Sequence, residues 1–440
     1  MKWGRKTVAV LLCAALTVAS LSGCGQKKDM VVDESKEPVV LSCFLPMSFR
    51  ENEGVNAFLQ LIDEYNAAHD EVQIQIEGIS IKDGYNEVLA KRLASGEGDD
   101  IFVVNADSVK GFVAQGYLYD LSGLPAYERL YPAAKEQANV EGLIYTVPLT
   151  MSAYGMYVNQ DLLKTYGLEP PNDLDSWLAC CDTLKANGVT PLALNRWYSM
   201  TAPVMARGLY EIYQADNYEE LVAGLNDGSL KIGDQMLEGF ELFEEMLDKG
   251  YYGDDLTREY VDGLPACTKD MDDFQNQNVA FAFFPCGVEK YFDDRMKQFT
   301  YEVQGIPALP DGTVCLPSIA DRFCINANSE HLPEALAFAE FLTNANSPDI
   351  LADGGGALPS REGQAGTPTG AEHMHKLLDL VEQEGQIPIE DMRLHFTYWD
   401  TVRILCLDMI DGMSAKEAAE KYNAIQMEQI EAYAAEKTAL

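Results

Sequence analysis

The sequence predicts an α/β fold in which short buried strands alternate with amphipathic helices. From residue 39 onward, apolar runs of four to six residues alternate with segments whose apolar residues recur at helical spacing. Over 39–115 the order is strand, helix, strand, helix, strand, helix, which is typical of a largely parallel sheet with helices on both faces. The 440 residues are enough for two or three domain-sized units.

Six elements support this fold in the first part of the chain. Strand residues form unbroken or alternating apolar runs, whereas helix residues form a stripe every three or four positions. In order they are a strand at 39–44, a helix with Phe58, Leu61, Ile62 and Tyr65, a strand with Val72, Ile74 and Ile76, a helix with Tyr85, Leu89 and Leu93 before Gly96, a strand at 101–104 and a helix at 109–115 before Gly116.

Later segments continue the same pattern. Leu174, Trp177, Leu178, Cys181 and Leu184 form one helical stripe, so we expect Trp177 in the core rather than in a binding site. An amphipathic helix is expected at 238–247 and a hydrophobic strand at 279–284. The 414–417 segment reads Ser-Ala-Lys-Glu, a capping box that opens a helix running towards the carboxyl terminus.

The amino terminus has the pattern of an export signal. Lys2, Arg5 and Lys6 precede an uncharged apolar run of 14 residues at 7–20. A transmembrane helix is the alternative, but spanning a bilayer takes about 20 apolar residues. Small residues follow at Ser22 and Gly23, directly before Cys24.

The segment Leu21-Ser22-Gly23-Cys24 resembles the lipobox of bacterial lipoproteins. The resemblance implies a signal peptide at 1–23 and a Cys24 thiol that carries diacylglycerol, followed by a tether at 24–38. We expect an exported chain held at the outer face of the cytoplasmic membrane by lipid alone. The alternative is a plain signal peptide with a chance cysteine after it.

Charge and motif content exclude several classes of function. The formal net charge is -38, and loss of the three cations at 1–23 makes the mature chain more negative still. Such a surface repels phosphate backbones, so we expect no nucleic-acid partner. The sequence contains no zinc-ligand spacing, P-loop, G-x-S-x-G or dinucleotide G-x-G-x-x-G, so we expect no metal, cofactor or catalytic site.

The cysteines favour buried thiols over a disulfide framework. Ten cysteines are present, of which Cys13 leaves with the signal and Cys24 carries lipid. No C-x-x-C pair occurs, and Cys180 and Cys181 are adjacent. Free buried thiols are the expectation for the other eight, with pairing left open as the alternative.

Two polar or aromatic loops follow predicted strands. In open α/β sheets, ligands bind outside the carboxyl ends of strands, near helix amino termini. Asn105 to Ser108 occupy such a place, where Asp107 or Ser108 contacts a ligand, caps the helix or does both. Asn195, Arg196, Trp197 and Tyr198 follow an apolar segment without helical period, so their rings either stack on a ligand or pack.

Five segments in order resemble the family 1 extracellular solute-binding proteins, which deliver carbohydrates to ABC importers. The resemblance covers about 39–435. The segments are RLASGEGDDIFVVNADSV, GFVAQGYLYDLS, GLIYTVPLTMSAYGMYVNQDLLKTYGL, NSEHLPEALAFAEFLT with GGGALPS, and YWDTVRILCLDMIDGMSAKEAAE. It implies a two-lobed, type II periplasmic-binding-protein-like fold with hinge-linked lobes around a ligand cleft. The expected lobes are 39–148 plus 318–360, and 152–314 plus 373–440.

The resemblance also implies a ligand site. Asp107 matches a position that hydrogen-bonds sugar hydroxyls, Trp399 matches a ring that stacks on a pyranose, and Trp197 and Tyr198 fall where the family has another aromatic. Flat rings suit the apolar faces of a sugar, and carboxylates or amides suit its hydroxyls. The remaining candidate ligand-binding residues are Phe44, Asn105, Thr150, Tyr154, Phe284 and Gly355.

Departures from the family pattern concern the ligand. Cys43-Phe44 stands where a tryptophan is common, and Cys286-Gly287-Val288 stands where Gly-Ser-Trp is frequent. Fewer stacking rings predict a mono- or short oligosaccharide. The expected protein is a non-enzymatic monomer whose partners are a carbohydrate and ABC transporter permease subunits. The alternative ligands are a polyol, a glycerol phosphate derivative or a polyamine. A more remote alternative is an exported glycosidase. A glycosidase needs two carboxylates about 5 to 9 Å apart, and the sequence does not single out such a pair among its 70 acidic residues.

Overall fold

A computed structural model gives the fold, and the compact unit within it runs from Pro38 to Leu440. The structure describes residues 37–46, 53–80, 83–254, 256–264, 268–288, 298–319, 322–344, 347, 357–361, 374–383 and 385–439, without the side chains at 53–56, 107 and 436–439. The predicted signal peptide, Cys24 and nearly all of the tether therefore lie outside the described residues.

The first sheet has the strand order β2-β1-β3-β14-β6. Its strands are β1 (Val39–Pro46), β2 (Val72–Ile79), β3 (Ile101–Val104), β6 (Val147–Pro148) and β14 (Arg322–Ile325). β1 pairs in parallel with β2 and β3, as the strand and helix order predicts. β14 returns from far along the chain and pairs antiparallel with β3 and β6.

Helices cover both faces of this sheet. They are α1 (Glu53–Ala68), α2 (Tyr85–Ser95), α3 (Ala106–Ala114) and α12 (Leu332–Leu342). Leu41 and Cys43 of β1 join one buried cluster with Phe58 of α1, whereas Phe44 joins another with Tyr85 of α2. Successive strand side chains point to opposite faces, and here both faces are buried, which explains the unbroken apolar run of β1.

The second sheet is built on the long strand β7 (Thr150–Asn159). The other strands of this sheet are β8 (Thr190–Leu192), β9 (Val279–Pro285), β10 (Tyr301–Gln304), β13 (Leu316–Ile319) and β15 (Leu358–Pro359); all but β8 pair with β7. β8 and β9 are parallel, whereas β10, β13 and β15 pair antiparallel with β7. β15 and the second half of β13 lie in the range predicted for the first lobe, 318–360, but both strands belong to this sheet. The lobe boundaries stay a prediction.

The remaining elements are short pairs and helices. The short strands are β4 (Asn139–Val140), β5 (Leu143–Ile144), β11 (Ile306–Leu309) and β12 (Gly312–Val314). The helices are α4 (Pro132–Ala138), α5 (Gln160–Thr165), α6 (Leu174–Ala186), α7 (Thr201–Tyr213), α8 (Tyr218–Asp227), α9 (Ile232–Asp248), α10 (Arg258–Gly263), α11 (Lys269–Gln275), α13 (His375–Val381), α14 (Trp399–Ile410) and α15 (Ala415–Ala439). Within the described ranges, no helix has the length and apolar character needed to span a bilayer.

Several predictions about the core are confirmed. The Trp177 side chain is fully buried and meets the Phe283 ring at a centroid distance of 5.9 Å. Among the eight cysteines predicted as free thiols, the structure describes all but Cys267, and those seven are buried and not joined in disulfides. Helix α3 begins at Ala106, three residues before its predicted start, because its first turn is polar and lies outside the apolar period.

Candidate functional site

The 195–199 loop lies at the carboxyl edge of the parallel pair β8 and β9. The strand register places Leu192 opposite Phe281, so the loop that follows β8 is level with the end of β9. The loop leads directly into α7. This edge, where a strand passes into a helix, is the usual ligand position in open α/β sheets.

The side chain of Asn195 fixes the backbone of this loop. Its Oδ1 accepts hydrogen bonds from the backbone N–H groups of Trp197 at 2.8 Å, Tyr198 at 2.8 Å and Ser199 at 3.2 Å. The hydroxyl of Thr201 donates to the Trp197 carbonyl at 3.0 Å. Because both ends of the Trp197 residue are held, its indole projects from a defined backbone.

The ring of one predicted site residue, Tyr154, contacts the rings of two others, Tyr198 and Trp399. Trp197 is next to Tyr198 in the loop, and the Arg403 guanidinium of the helix that carries Trp399 lies over the Trp197 ring. We call these four predicted residues, Tyr154, Trp197, Tyr198 and Trp399, the aromatic cluster. The Tyr154 ring lies 5.3 Å from the Tyr198 ring and 5.2 Å from the Trp399 ring, measured between centroids. Trp197 follows Asn195 in the same loop and is 36% exposed. Tyr154 and Trp399 are half-buried, whereas Tyr198 is buried. The cluster therefore has open ring surface at three positions.

Two arginines flank the exposed indole. The guanidinium carbons of Arg196 and Arg403 lie 5.0 Å and 5.1 Å from the Trp197 ring centroid, within the range of cation–π attraction. Arg403 also pairs with Asp400 at 3.4 Å. Nε of Arg196 is buried and has no hydrogen-bond partner in the described part of the chain. The cluster thus carries positive charge within a strongly acidic protein.

Trp399 is positioned by the segment that precedes α14. Tyr398 is buried, and its hydroxyl donates a hydrogen bond to the Pro388 carbonyl. Thr397 accepts at its carbonyl from the Tyr422 hydroxyl of α15, 3.3 Å away. These contacts hold the two residues that precede Trp399, one against Pro388 and the other against α15.

Tyr198 is held from below by a buried carboxylate. Its hydroxyl donates to Oδ2 of Asp270 at 3.2 Å. Asp270 is 1% exposed, and burial raises the pKa of its carboxyl, although the hydrogen bond from Asn195 opposes this shift. Sequence reasoning missed Asp270, since it is one of 70 acidic residues and lies far from the loop in sequence.

Phe284 and Thr150 lie at the margin of the cluster. Phe284 on β9 is fully buried, and its ring centroid is 6.3 Å from that of Tyr198. Thr150 is 7% exposed and pairs with Pro359 at the start of β7. Phe284 therefore supports the rings from the core, and Thr150 stands on the same strand as Tyr154.

Phe44 lies in the core of the first sheet. Its side chain has no exposed surface, the Tyr85 ring stacks on it at 4.7 Å, and the Arg92 guanidinium lies 4.2 Å from its centroid. Both helices and strands cover it in this conformation, so it presents no free ring to a ligand. Phe44 is therefore not part of the candidate site in this conformation.

Of the three remaining predicted residues, Asn105 is fully described, whereas Asp107 and Gly355 are not. Asn105 is exposed at the carboxyl end of β3, where its Oδ1 accepts a hydrogen bond from the Ser108 backbone at 3.1 Å and caps α3. The backbone of Asp107 lies in the first turn of α3, but its side chain lies outside the described structure, as does all of Gly355. A ligand role for these three residues stays a prediction.

A pocket of about 350 Å³ lies at the other end of α14 and shares no residue with the aromatic cluster. Its lining includes Met409 and Ile410 of α14, Glu244 and Asp248 of α9, and Tyr252. Within the described residues, no group of His, Cys, Asp and Glu side chains could hold a metal ion, here or elsewhere. The cluster at the amino end of α14 remains the candidate site.

The model of one protein family, the bacterial extracellular solute-binding proteins, matches residues 60–376 of this chain. The chain is also 23% identical to the multiple sugar-binding protein of Streptococcus mutans serotype c over 364 residues, which are 79% of this chain and 80% of that protein. The matched family segment includes the whole second sheet, the first sheet except β1, and three of the four cluster residues; Trp399 lies beyond it.

Solved structures share the fold at low sequence identity. A family 1 extracellular solute-binding protein from Bifidobacterium longum subsp. infantis matches with a TM-score of 0.72 at 15% identity, over 88% of this chain and 99% of that chain. A sugar transporter protein from Bacillus licheniformis, solved in complex with stachyose, matches with a TM-score of 0.56 at 20% identity, over 88% and 98%. This chain therefore belongs to the bacterial extracellular solute-binding proteins and has their two-lobed, type II periplasmic-binding-protein-like fold.

Proposed function

We propose that the protein captures a carbohydrate and delivers it to an ABC importer. The aromatic cluster is the observation that carries the proposal. Trp197, Trp399 and Tyr154 offer open ring surface at a strand edge, and the loop backbone holds Trp197 in place. Apolar sugar faces stack on such rings, while nearby polar groups serve the hydroxyls.

The related proteins support the same ligand class. The Streptococcus mutans relative is named for sugar binding, and the Bacillus licheniformis structure contains stachyose. At 23% and 20% identity, these proteins suggest a carbohydrate without identifying which one. We propose a mono- or short oligosaccharide, because Phe44 is buried and Cys286-Gly287-Val288 stands where the family often reads Gly-Ser-Trp, which leaves fewer rings to stack on a long sugar.

The proposed mechanism is ligand-stabilised closure of the two lobes. The sugar stacks on the aromatic cluster of the second sheet and reaches Asn105 and Asp107 at the edge of the first. Contacts that form only when the lobes are closed shift the population towards closure. The closed monomer is then recognised by permease subunits. The sugar leaves unchanged, since the proposed role is transport rather than catalysis.

We also propose that Cys24 carries a lipid that holds the protein at the outer face of the cytoplasmic membrane. The support is the sequence alone, through the small residues before Cys24 and the short apolar run at 7–20. One or two acyl chains with no spanning helix give a tethered protein whose binding lobes remain free to move.

An anionic solute is a second candidate, and one observation favours it. Arg196 and Arg403 converge on Trp197, and Arg196 has no ion-pair partner among the described residues. Guanidinium groups suit phosphate or carboxylate oxygens. A sugar phosphate, an acidic sugar or a glycerol phosphate derivative would use this pair in addition to the rings.

A thermal unfolding screen of residues 25–440 tests the proposal. The panel contains mono- and oligosaccharides of one to six units, acidic sugars, sugar and glycerol phosphates, polyols and polyamines. Ligand at about a hundred times its dissociation constant adds roughly 2.7 kcal/mol to the unfolding free energy. We expect a neutral mono- or short oligosaccharide to raise the midpoint and to be recovered intact. A shift only with anionic members would favour the second candidate, and a shift only with polyamines would contradict both.

A further inference from the structure

Asp270 lies beneath the aromatic loop and touches it twice. It belongs to the short helix α11, more than 70 residues beyond the loop in sequence. Its Oδ2 accepts one hydrogen bond from Nδ2 of Asn195 at 2.7 Å and another from the Tyr198 hydroxyl at 3.2 Å. One carboxylate oxygen therefore joins the residue that holds the loop backbone to a ring of the cluster.

The contact with Asn195 determines how the loop is held. An amide side chain has one donor end and one acceptor end. Because a carboxylate only accepts, Asp270 requires the Nδ2 end of Asn195, which turns Oδ1 towards the loop. There Oδ1 accepts from the backbone N–H groups of Trp197, Tyr198 and Ser199. Without the carboxylate, Nδ2 would be buried without an acceptor, and the preference for this orientation would fall.

The stability of the fold does not account for a carboxylate at this place. Asp270 takes part in no ion pair among the described residues, and the adjacent Lys269 pairs with Asp273 instead. Its Oδ1 has no hydrogen-bond partner in that part of the chain, although the backbone amides of Asp270 and Met271 favour the charge. Because burial raises its pKa, its ionisation disfavours the folded state at neutral pH.

We propose that Asp270 is a positioning residue: through Asn195 and Tyr198 it holds the Trp197 and Tyr198 rings in the geometry that receives the sugar. The inference rests on the proposed function for the identity of the ligand. The geometric part does not, because it concerns how the loop is held before any ligand binds. Preorganising a binding loop raises affinity by reducing the ordering needed on binding.

The test compares Asp270→Ala, Asp270→Asn and a matched control, Asp182→Ala. Asp182 also accepts a hydrogen bond from a tyrosine hydroxyl, that of Tyr251 at 2.6 Å, but it lies on α6. Alanine at 270 removes the acceptor for both donors. Asparagine retains one carbonyl oxygen that can accept from both and is therefore expected to rescue the loop.

The first readout needs no sugar. In ¹H–¹⁵N spectra of the ligand-free protein, the indole N–H signal of Trp197, assigned by its loss in Trp197→Phe, should shift or broaden in Asp270→Ala. The indole signal of the fully buried Trp177 should not move, which shows that the fold is intact. Asp270→Asn and Asp182→Ala should keep the wild-type Trp197 signal. An unchanged Trp197 signal in Asp270→Ala would overturn the proposal.

The second readout is affinity, measured by calorimetry with stachyose and with any sugar that raises the unfolding midpoint. Asp270→Ala should weaken binding at least tenfold, Asp270→Asn less than threefold, and Asp182→Ala not at all. Equal affinity in Asp270→Ala and wild type would contradict the positioning role. If the wild type binds no sugar but Asp270→Ala still moves the Trp197 signal, the carbohydrate assignment fails while the positioning role stands.

Discussion

At the residue scale, local pattern identified the rings of the candidate site but not the residues that support them. Trp197 and Tyr198 stood out as two aromatic residues in a loop without helical period. The structure brings Tyr198 together with Tyr154 and Trp399, and Arg403 of α14 lies over the Trp197 ring. Phe44 was a candidate because of its place in the first strand, yet it is fully buried under Tyr85. Because successive side chains of a strand point to opposite faces, the sequence assigns each side chain to one face of the sheet. Whether a helix covers that face depends on tertiary packing.

Asp270 shows why the supporting residues escaped sequence reasoning. Its contacts to Asn195 and Tyr198 bridge 75 and 72 positions of the chain. Its own neighbourhood has no motif, and an acidic residue in a short helix is ordinary in so acidic a protein. Long-range hydrogen bonds of this kind depend on the folded backbone, which no local spacing encodes.

Buried and paired carboxylates predict an unusual pH dependence of stability. Burial raises the pKa of Asp391 to about 6, although the Arg393 backbone N–H and the Tyr213 hydroxyl oppose the shift. A raised carboxyl pKa means that stability is gained as the pH falls through the folded-state value. The pKa of Asp408 is lowered, because burial raises it but hydrogen bonds from Lys421 and Arg258 lower it by more. The contribution of ionised Asp408 to the stability of the fold is therefore lost in acid.

The free energy of unfolding should therefore rise from pH 7 to about pH 5 and fall below about pH 4, near the ordinary carboxyl pKa values. Chemical denaturation across this range measures it. Relief of the large negative net charge acts in the same direction. In Asp391→Asn the rise between pH 7 and pH 5 should be smaller. A steady fall in stability from pH 7 to pH 5 in the wild type would contradict this assignment.

At the element scale, strands and helices were predictable where one period dominates. β1, β2, β3 and the helices between them formed as expected because their apolar runs are short and bounded. The antiparallel return of β14 and the pairing of β13 and β15 with β7 were not predicted. Strand pairing between distant segments depends on chain topology, whereas periodicity reports only local burial.

Close helix contact behind the loop gives a prediction at this scale. In α9, a Cβ on Gly239 would lie 2.2 Å from the Val204 carbonyl oxygen of α7, the helix that follows the aromatic loop. Gly239→Ala must push the two helices apart and should destabilise the fold by about 1–3 kcal/mol. Urea denaturation measures the change.

A matched glycine separates overpacking from the general effect of adding a methyl group. Gly111 lies inside α3, and a Cβ there would meet no atom within 4 Å. Gly111→Ala should leave stability unchanged or raise it by up to about 1 kcal/mol, because alanine is the better helix former. Similar losses in the two variants would show that close packing of α7 and α9 is not the cause.

At the scale of the whole molecule, order along the chain was more informative than any single motif. Five weakly diagnostic segments in the right order indicated the family, and the family model and the folds of solved relatives agree. Which chain segments belong to which lobe was harder to predict, because β7, β13 and β15 bring residues from three parts of the chain into one sheet. Hinge placement depends on these pairings.

Membrane attachment is also a property of the whole molecule. Cys24→Ala should release the protein from the membrane fraction of the producing bacterium, because the thiol is the proposed site of lipid attachment. Cys13→Ala is the matched control, since that cysteine lies in the apolar run that leaves with the signal peptide. Fractionation followed by immunoblotting gives the result. Continued membrane association of Cys24→Ala would contradict the lipid anchor.

Titration calorimetry of Trp399→Ala tests the central claim most directly, with the sugar that raises the unfolding midpoint of the wild type. Because Trp399 supplies half-exposed ring surface beside Tyr154, its loss should weaken binding more than tenfold, about 1.4 kcal/mol or more. Tyr166→Ala, which removes a half-buried ring outside the cluster, should bind within about twofold of wild type. Wild-type affinity in a folded Trp399→Ala protein would show that the sugar binds elsewhere.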